Sequence, residues 1–252
     1  MHEFTVATFN VHGWKDAKKK DNLVRVIQTV RKYGPDQSGP DIICLQELNG
    51  NKDQLVQFAK YFDYHFFQTP GVAILSKFEV RSIPTVAGAR FAVSEIALSP
   101  EVKIIVTGIH LDHKKEPKRL SEIQVIRNAL GSIFSEDCFQ IWLGDFNALT
   151  LDDYTEDELN KVARVRREGN WEPPKGELTQ KITNEYGLID TWQDVGGPPP
   201  LKTCRYDTRI DYIFANPQLL DVFDVVDVIH DTDTASDHQM VVTKFVSKTA
   251  NR

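Results

Sequence analysis

Nine apolar stretches of strand length dominate the chain, and several follow one another with no helix between them. They are Phe4–Phe9, Asp41–Gln46, Gly71–Leu75, Phe91–Leu98, Val102–Ile109, Phe139–Leu143, Ile210–Phe214, Val222–Ile229 and Met240–Phe245. Val, Ile and Phe are frequent in them, and turn residues bound several. Helical spacing is sparser. It runs through Leu23, Val26, Ile27 and Val30 and stops at Gly34–Pro35; it returns at Leu55, Phe58, Ala59 and Phe62, and again at Leu120, Ile123, Arg127, Leu130 and Phe134. Thr155 and Glu158 have the spacing of a capping box, which predicts a short helix through Arg167. A repeated strand–helix–strand unit would need a helix after nearly every strand. The pattern therefore predicts an α/β fold, a mixed sandwich, and no linker divides residues 1–252 into more than a single domain.

Polar residues fall at particular ends of these strands. Four strands run out into them: TVATFN at Asn10, DIICLQE at Glu47, IIVTGIHLDH at His110 and Asp112, and IWLGDFN at Asp145 and Asn147. Two strands begin with them: RIDYIF at Asp211, and SDHQMVV at Asp237 and His238. If the last two run antiparallel to the first four, one rim of the sandwich collects all of these groups. Rigid sheets commonly present reactive side chains on such rims. So many acids repel one another unless a cation lies among them. Oxygen donors from Glu, Asp and Asn suit Mg²⁺ or Mn²⁺, and without a thiolate zinc is disfavoured. In an extended chain residues two apart face the same way, so Asp145 and Asn147 are expected to address one target together. A carboxylate and an amide beside a metal ion are equipment for attack by water.

In order along the chain, TFNVHGW, LQELN, GVAILSK, HLDH…KRLSEIQ, WLGDFNAL, RIDYIFANP and SDHQMVV resemble the endonuclease/exonuclease/phosphatase superfamily, with the deoxyribonuclease I-like fold. Each motif alone is weak; the ordered set spans residues 4 to 245. The resemblance implies a four-layer α/β/β/α sandwich with two packed mixed, mainly antiparallel sheets. It implies Mg²⁺-dependent hydrolysis of phosphate esters, a phosphodiesterase or nuclease activity. By the same resemblance Glu47 would be the principal metal ligand with Asn10 beside it, and Asp237 would lie near that ion or a second one. Asp145 would align or deprotonate the attacking water, assisted by Asn147. His238 would contact the scissile phosphate, oriented by Asp211, and His110 would contact it from the opposite side.

Other residues border these motifs. Asp112 adjoins the rim. Arg90 and Arg209 are single cations near reactive strands, and Arg209 can either touch substrate or pair with an acid on its own side. Trp171, in the Pro-rich loop EGNWEPPKGELT, can stack on a base or pack against that loop. The run KKEPKR, Lys114 to Arg119, reads as a solvated helix start. A zinc site built from His110, Asp112 and His113 is disfavoured, because His113 would point away from His110 in a continuing strand.

The net charge of −6 argues against a broad electrostatic grip on long duplex nucleic acid. A nucleic-acid end remains the favoured substrate, with a small phosphorylated molecule, or a non-catalytic binding relative, as alternatives. No apolar run approaches the ~20 residues that cross a bilayer, so no membrane insertion is expected. The opening MHEFTVATFN shows no basic region followed by an apolar run, and the three cysteines, Cys44, Cys138 and Cys204, match no metal or redox spacing. These features fit an intracellular protein, in cytoplasm or nucleus, acting as a monomer.

Overall fold

The structure, a computed structural model, describes residues 3–16, 18–48, 52–84, 90–131, 138–196 and 202–248. Twelve strands form two six-stranded sheets among these residues. The first sheet uses β1 (Glu3–Asn10), β2 (Ile42–Gln46), β3 (His65–Thr69), β4 (Val72–Ser76), β11 (Phe223–His230) and β12 (Val241–Ser247), in the order β11-β12-β1-β2-β4-β3. The second uses β5 (Val80–Ile83), β6 (Phe91–Ala97), β7 (Lys103–His110), β8 (Phe139–Asp145), β9 (Ile189–Asp190) and β10 (Asp211–Ala215), in the order β5-β6-β7-β8-β10-β9. Each sheet contains one parallel pair, β1 with β2 and β7 with β8, and is otherwise antiparallel.

The core follows from strand alternation. Phe4 and Val6 of β1 face the space between the sheets, together with Ile74, Val106, Ile141 and Ile213. Ala7 and Phe9, on the opposite face of β1, pack beneath helices α1 (Leu23–Val30) and α2 (Lys52–Phe62), against Val26 and Phe58. Trp142 and Phe214 on the outer face of the second sheet meet Ile126 of α3 (Glu116–Gly131) and Leu178 of α5 (Glu177–Gln180). Apolar faces on both sides of a sheet require cover on both sides, and the result is the helix–sheet–sheet–helix layering expected. Three short strands escape the hydrophobic reading: β3, β5 and β9. All three lie at sheet edges, where little is buried and no apolar alternation is needed.

Helix α4 (Glu156–Glu168) begins in a reciprocal capping box. The Thr155 hydroxyl accepts from Glu158 N at 3.3 Å, and the Glu158 carboxylate accepts from Thr155 N at 2.9 Å. Two short helices, α6 (Thr191–Asp194) and α7 (Pro217–Val222), close the second sheet and lead into β11. Helix α3 corrects the reading of KKEPKR. It starts at Glu116, and Glu116 and Arg119 are buried as an ion pair of 2.5 Å rather than solvated. Phe134 lies outside the described residues.

Candidate active site

The antiparallel relation anticipated for β10 and β12 holds: Asp211 lies opposite Asp145, and Val241 opposite Thr8. The ends of β1, β2, β7 and β8 and the starts of β10 and β12 therefore share one rim, which opens into a cavity of about 1260 Å³. Both sheets contribute. The Asn10 amide nitrogen of the first sheet donates to Glu47 Oε1 and, across the sandwich, to Asp145 Oδ2, each at 3.0 Å.

A glycine makes this juxtaposition. A Cβ at Gly144, where φ is +149°, would fall 1.9 Å from the Ile109 carbonyl oxygen. Only a residue without a side chain lets β7 and β8 approach closely just before Asp145. Just beyond Asp145 the chain does not continue as an extended strand. Asn147 has φ +51°, its N–H bonds back to Asp145 Oδ1 at 2.9 Å, and its side-chain amide is anchored on the Leu111 carbonyl. Both residues line the cavity, yet a tight turn brings them there and not the strand pleat.

With Oδ1 held in that turn, Asp145 presents Oδ2 to the site. His110 Nε2 is 3.8 Å and His238 Nε2 3.9 Å from this one atom. The surroundings push these titrating groups apart. Burial, reinforced by the Asp211 charge, raises the Asp145 carboxyl to about 7. Burial lowers His110 to about 4, leaving it neutral at pH 7. Burial opposes protonation of His238 as well, but Asp211 Oδ2 at 2.9 Å and Asp145 lift it well above the usual imidazole range. Burial raises Glu47 too, and the Asn10 amide and neighbouring imidazoles outweigh this and hold it below the usual range. Asp211 Oδ2 also accepts from Thr203 Oγ1 at 2.7 Å, while its buried Oδ1 has no partner among the described residues.

The donor set fits a divalent cation. Ligand atoms of Glu47, His110 and Asp145 lie within 4.8 Å of one another, as do those of Asp145, Asp211 and His238. Crowded carboxylates with an unpartnered buried oxygen have unmet demand for positive charge.

The remaining predicted residues divide. Asp237, Arg90 and Trp171 line the cavity. Asp237 sits between His12 Nδ1 at 3.3 Å and Arg205 Nη1 at 3.5 Å. Asn10 Oδ1 accepts the His12 N–H at 2.9 Å, and its amide nitrogen faces the acids. Arg209 is buried away from the cavity wall, paired with Asp153 and Asp190, each at 2.7 Å. Asp112 caps the approach to α3, accepting from Lys114 N, Lys115 N and Lys118 Nζ, so its oxygens serve the loop and not a substrate. His113 is exposed and meets Trp171 edge-on.

His12 and Arg166 are among the cavity residues not singled out by sequence. His12 also lies 3.5 Å from Glu47, held there by left-handed backbone at His12, Gly13 and Trp14. Arg166 of α4 is one turn beyond Val162 on the buried face of its helix, a spacing that marks it in retrospect.

Known proteins share this architecture. An AP endonuclease from Archaeoglobus fulgidus superposes with TM-score 0.70 at 22% identity, covering 97% of this chain and 99% of its own. An endonuclease/exonuclease/phosphatase from Beutenbergia cavernae gives 0.69 at 18%, covering 98% and 72%. TDP2 from C. elegans gives 0.64 at 16%, covering 97% and 75%. No curated protein sequence matches the chain significantly. The Endonuclease/Exonuclease/phosphatase family model matches residues 7–238, which takes in every residue converging on Asp145. The chain therefore belongs to the endonuclease/exonuclease/phosphatase family, whose members are phosphoester hydrolases.

Proposed function

We propose that the protein is a Mg²⁺- or Mn²⁺-dependent phosphodiesterase that hydrolyses nucleic acid, preferentially near an end, by in-line attack of water. One observation carries this reading: a single oxygen, Asp145 Oδ2, is faced by the Asn10 amide and by two imidazoles.

Glu47 would hold the cation beside Asp145, with His110 and Asp237 at its margin. When bound, the cation neutralises charge on the phosphate and lowers the pKa of water. Asp145, with a carboxyl near 7, is suited to accept the proton of the attacking water through Oδ2. The turn through Asn147 fixes that oxygen. His238, kept protonated by Asp211, places a positive charge and an N–H on the phosphate as negative charge grows there. Neutral His110 can add a hydrogen bond to another phosphate oxygen without competing for the proton. The net charge of −6 supports a short grip on the strand over a long one. The fold of the AP endonuclease and TDP2 neighbours supports a nucleic-acid substrate, and a small phosphorylated molecule is the second candidate.

The test is hydrolysis of bis(p-nitrophenyl) phosphate and of single- and double-stranded oligonucleotides, with Mg²⁺, with Mn²⁺ and with chelator. Asp145→Ala is expected to lose activity by about 100-fold or more. Equal turnover by the variant and the wild type would end the proposal, and turnover of inositol phosphates alone would move it to the second substrate class.

A further inference from the structure

The buried arginines of this protein are not treated alike. Arg119 is 2% exposed and paired with Glu116; Arg209 is 2% exposed and paired with two aspartates. Arg166 is 8% exposed and has no carboxylate within 4.0 Å among the described residues. The nearest acids are already engaged. Glu116 accepts from Arg119 through Oε2 and from Leu178 N through Oε1, and Glu172 Oε2 accepts from Glu116 N. Arg166 itself spends Nε on the Glu172 carbonyl at 2.6 Å, which leaves its terminal nitrogens for the cavity it lines. Burial and the nearby Arg119 charge both work against its protonated form, and the Glu116 and Glu172 charges support it only from beyond ion-pair contact. A buried charge without a carboxylate in contact is costly, and a guanidinium fork suits phosphate.

Aromatic rings adjoin this cation. The Arg166 guanidinium lies 5.7 Å over the Trp171 ring, and Trp171 meets Tyr206 edge-on at 5.3 Å. Tyr206 is 39% exposed and carries the Arg205 guanidinium at 4.8 Å on its face. The wall is rigid, because the Glu116–Arg119 pair ties helix α3 to Leu178, and the Glu116 N–H holds Glu172 in the same loop. A cation next to ring faces is the equipment for one further nucleotide unit of a strand.

We propose that Arg166 anchors a second phosphate subsite, which receives the phosphate adjacent to the scissile one in a nucleic-acid strand, with Trp171 and Tyr206 beside the intervening nucleoside. The inference rests on the phosphodiesterase reading and names its minimal substrate: a diester with a neighbouring phosphate. A small molecule with a single phosphate would leave Arg166 without a phosphate to contact.

The test compares the dinucleotide d(TpT) with d(pTpT) and d(TpTp), which add a phosphate at either end. For the wild type, one of the two end-phosphorylated forms is expected to show a KM about tenfold below that of d(TpT). In Arg166→Gln the ratio is expected to fall to about one. Arg166→Lys, which keeps the charge and loses the fork, is the milder companion if the Gln variant does not fold, and its ratio is expected to drop several-fold. A wild-type ratio near one for both forms, or a ratio that survives in the variants, overturns the subsite. If d(TpT) alone is not cleaved, calorimetric Kd values for the same three ligands decide the subsite by the same ratio; if none of the three and no oligonucleotide is cleaved, the phosphodiesterase reading fails, and those Kd values still decide the subsite.

Discussion

Asp211 gives one carboxylate oxygen to His238 and Thr203 and leaves the other buried, without a partner among the described residues. The first bond sets the charge of His238. Its folded pKa is raised, so protonated His238 persists to higher pH than a free imidazole would. In Asp211→Asn this support is lost and the imidazole falls back toward its ordinary value. We expect kcat to drop about 100-fold or more, and the alkaline limb of the kcat–pH profile to move to lower pH. An unchanged limb would show that His238 is not the group that titrates. Much of the site is legible at this scale because acids and amides at strand ends have no role in a core, so Asn10, Glu47, Asp145 and Asp211 announce themselves. Arg209 and Asp112 misled for the same reason reversed. Their charges looked available, and only folding showed them spent, on Asp153 and Asp190 in one case and on Lys118 and loop N–H groups in the other. His12 stayed unread because left-handed backbone, not strand geometry, aims it.

At the level of elements, the approach of β7 to β8 depends on one absent side chain. A methyl group at Gly144 would meet backbone atoms of Ile109, which cannot rotate away as a side chain could. Gly144→Ala should therefore part the two strands beside Asp145. We expect a loss of more than about 3 kcal/mol in denaturant unfolding, with activity lost even where the variant folds. A variant as stable as wild type would mean the strands tolerate separation. The glycine of IWLGDFN was visible in the sequence, but its reason was not, since that lies in a neighbouring strand some 35 residues earlier. The edge strands β3, β5 and β9 were hidden for a related cause: nothing packs on them strongly enough to impose a pattern.

For the whole molecule, acids crowded at one rim make stability depend on both pH and cation. The Asp145 carboxyl titrates near 7 when folded against an ordinary value of 3.8, so between these limits the folded chain holds a proton that the unfolded chain has released. Stability from this group is thus lost as pH rises from about 4 to 7, and the raised His238 acts in the same direction at higher pH. A cation that binds the carboxylate form reverses the loss. Mn²⁺ at 100 times its Kd should add about 2.7 kcal/mol, raising Tm by roughly 5–10 °C for a chain of this size. At one fixed Mn²⁺ concentration the rise should be larger at pH 8 than at pH 5; an equal rise, or none, would contradict the crowding.

The order of strands has a temporal consequence. The first sheet is opened by β1, β2, β3 and β4 and completed only by β11 and β12, after the entire second sheet has been made. His238 lies three residues before β12, whose place is between β11 and β1. A growing chain can therefore assemble Asn10, Glu47, Asp145 and Asp211 while the His238 imidazole is still missing. Catalytic competence would switch on with the seating of one late strand, so turnover can serve as a clock for the last step of folding.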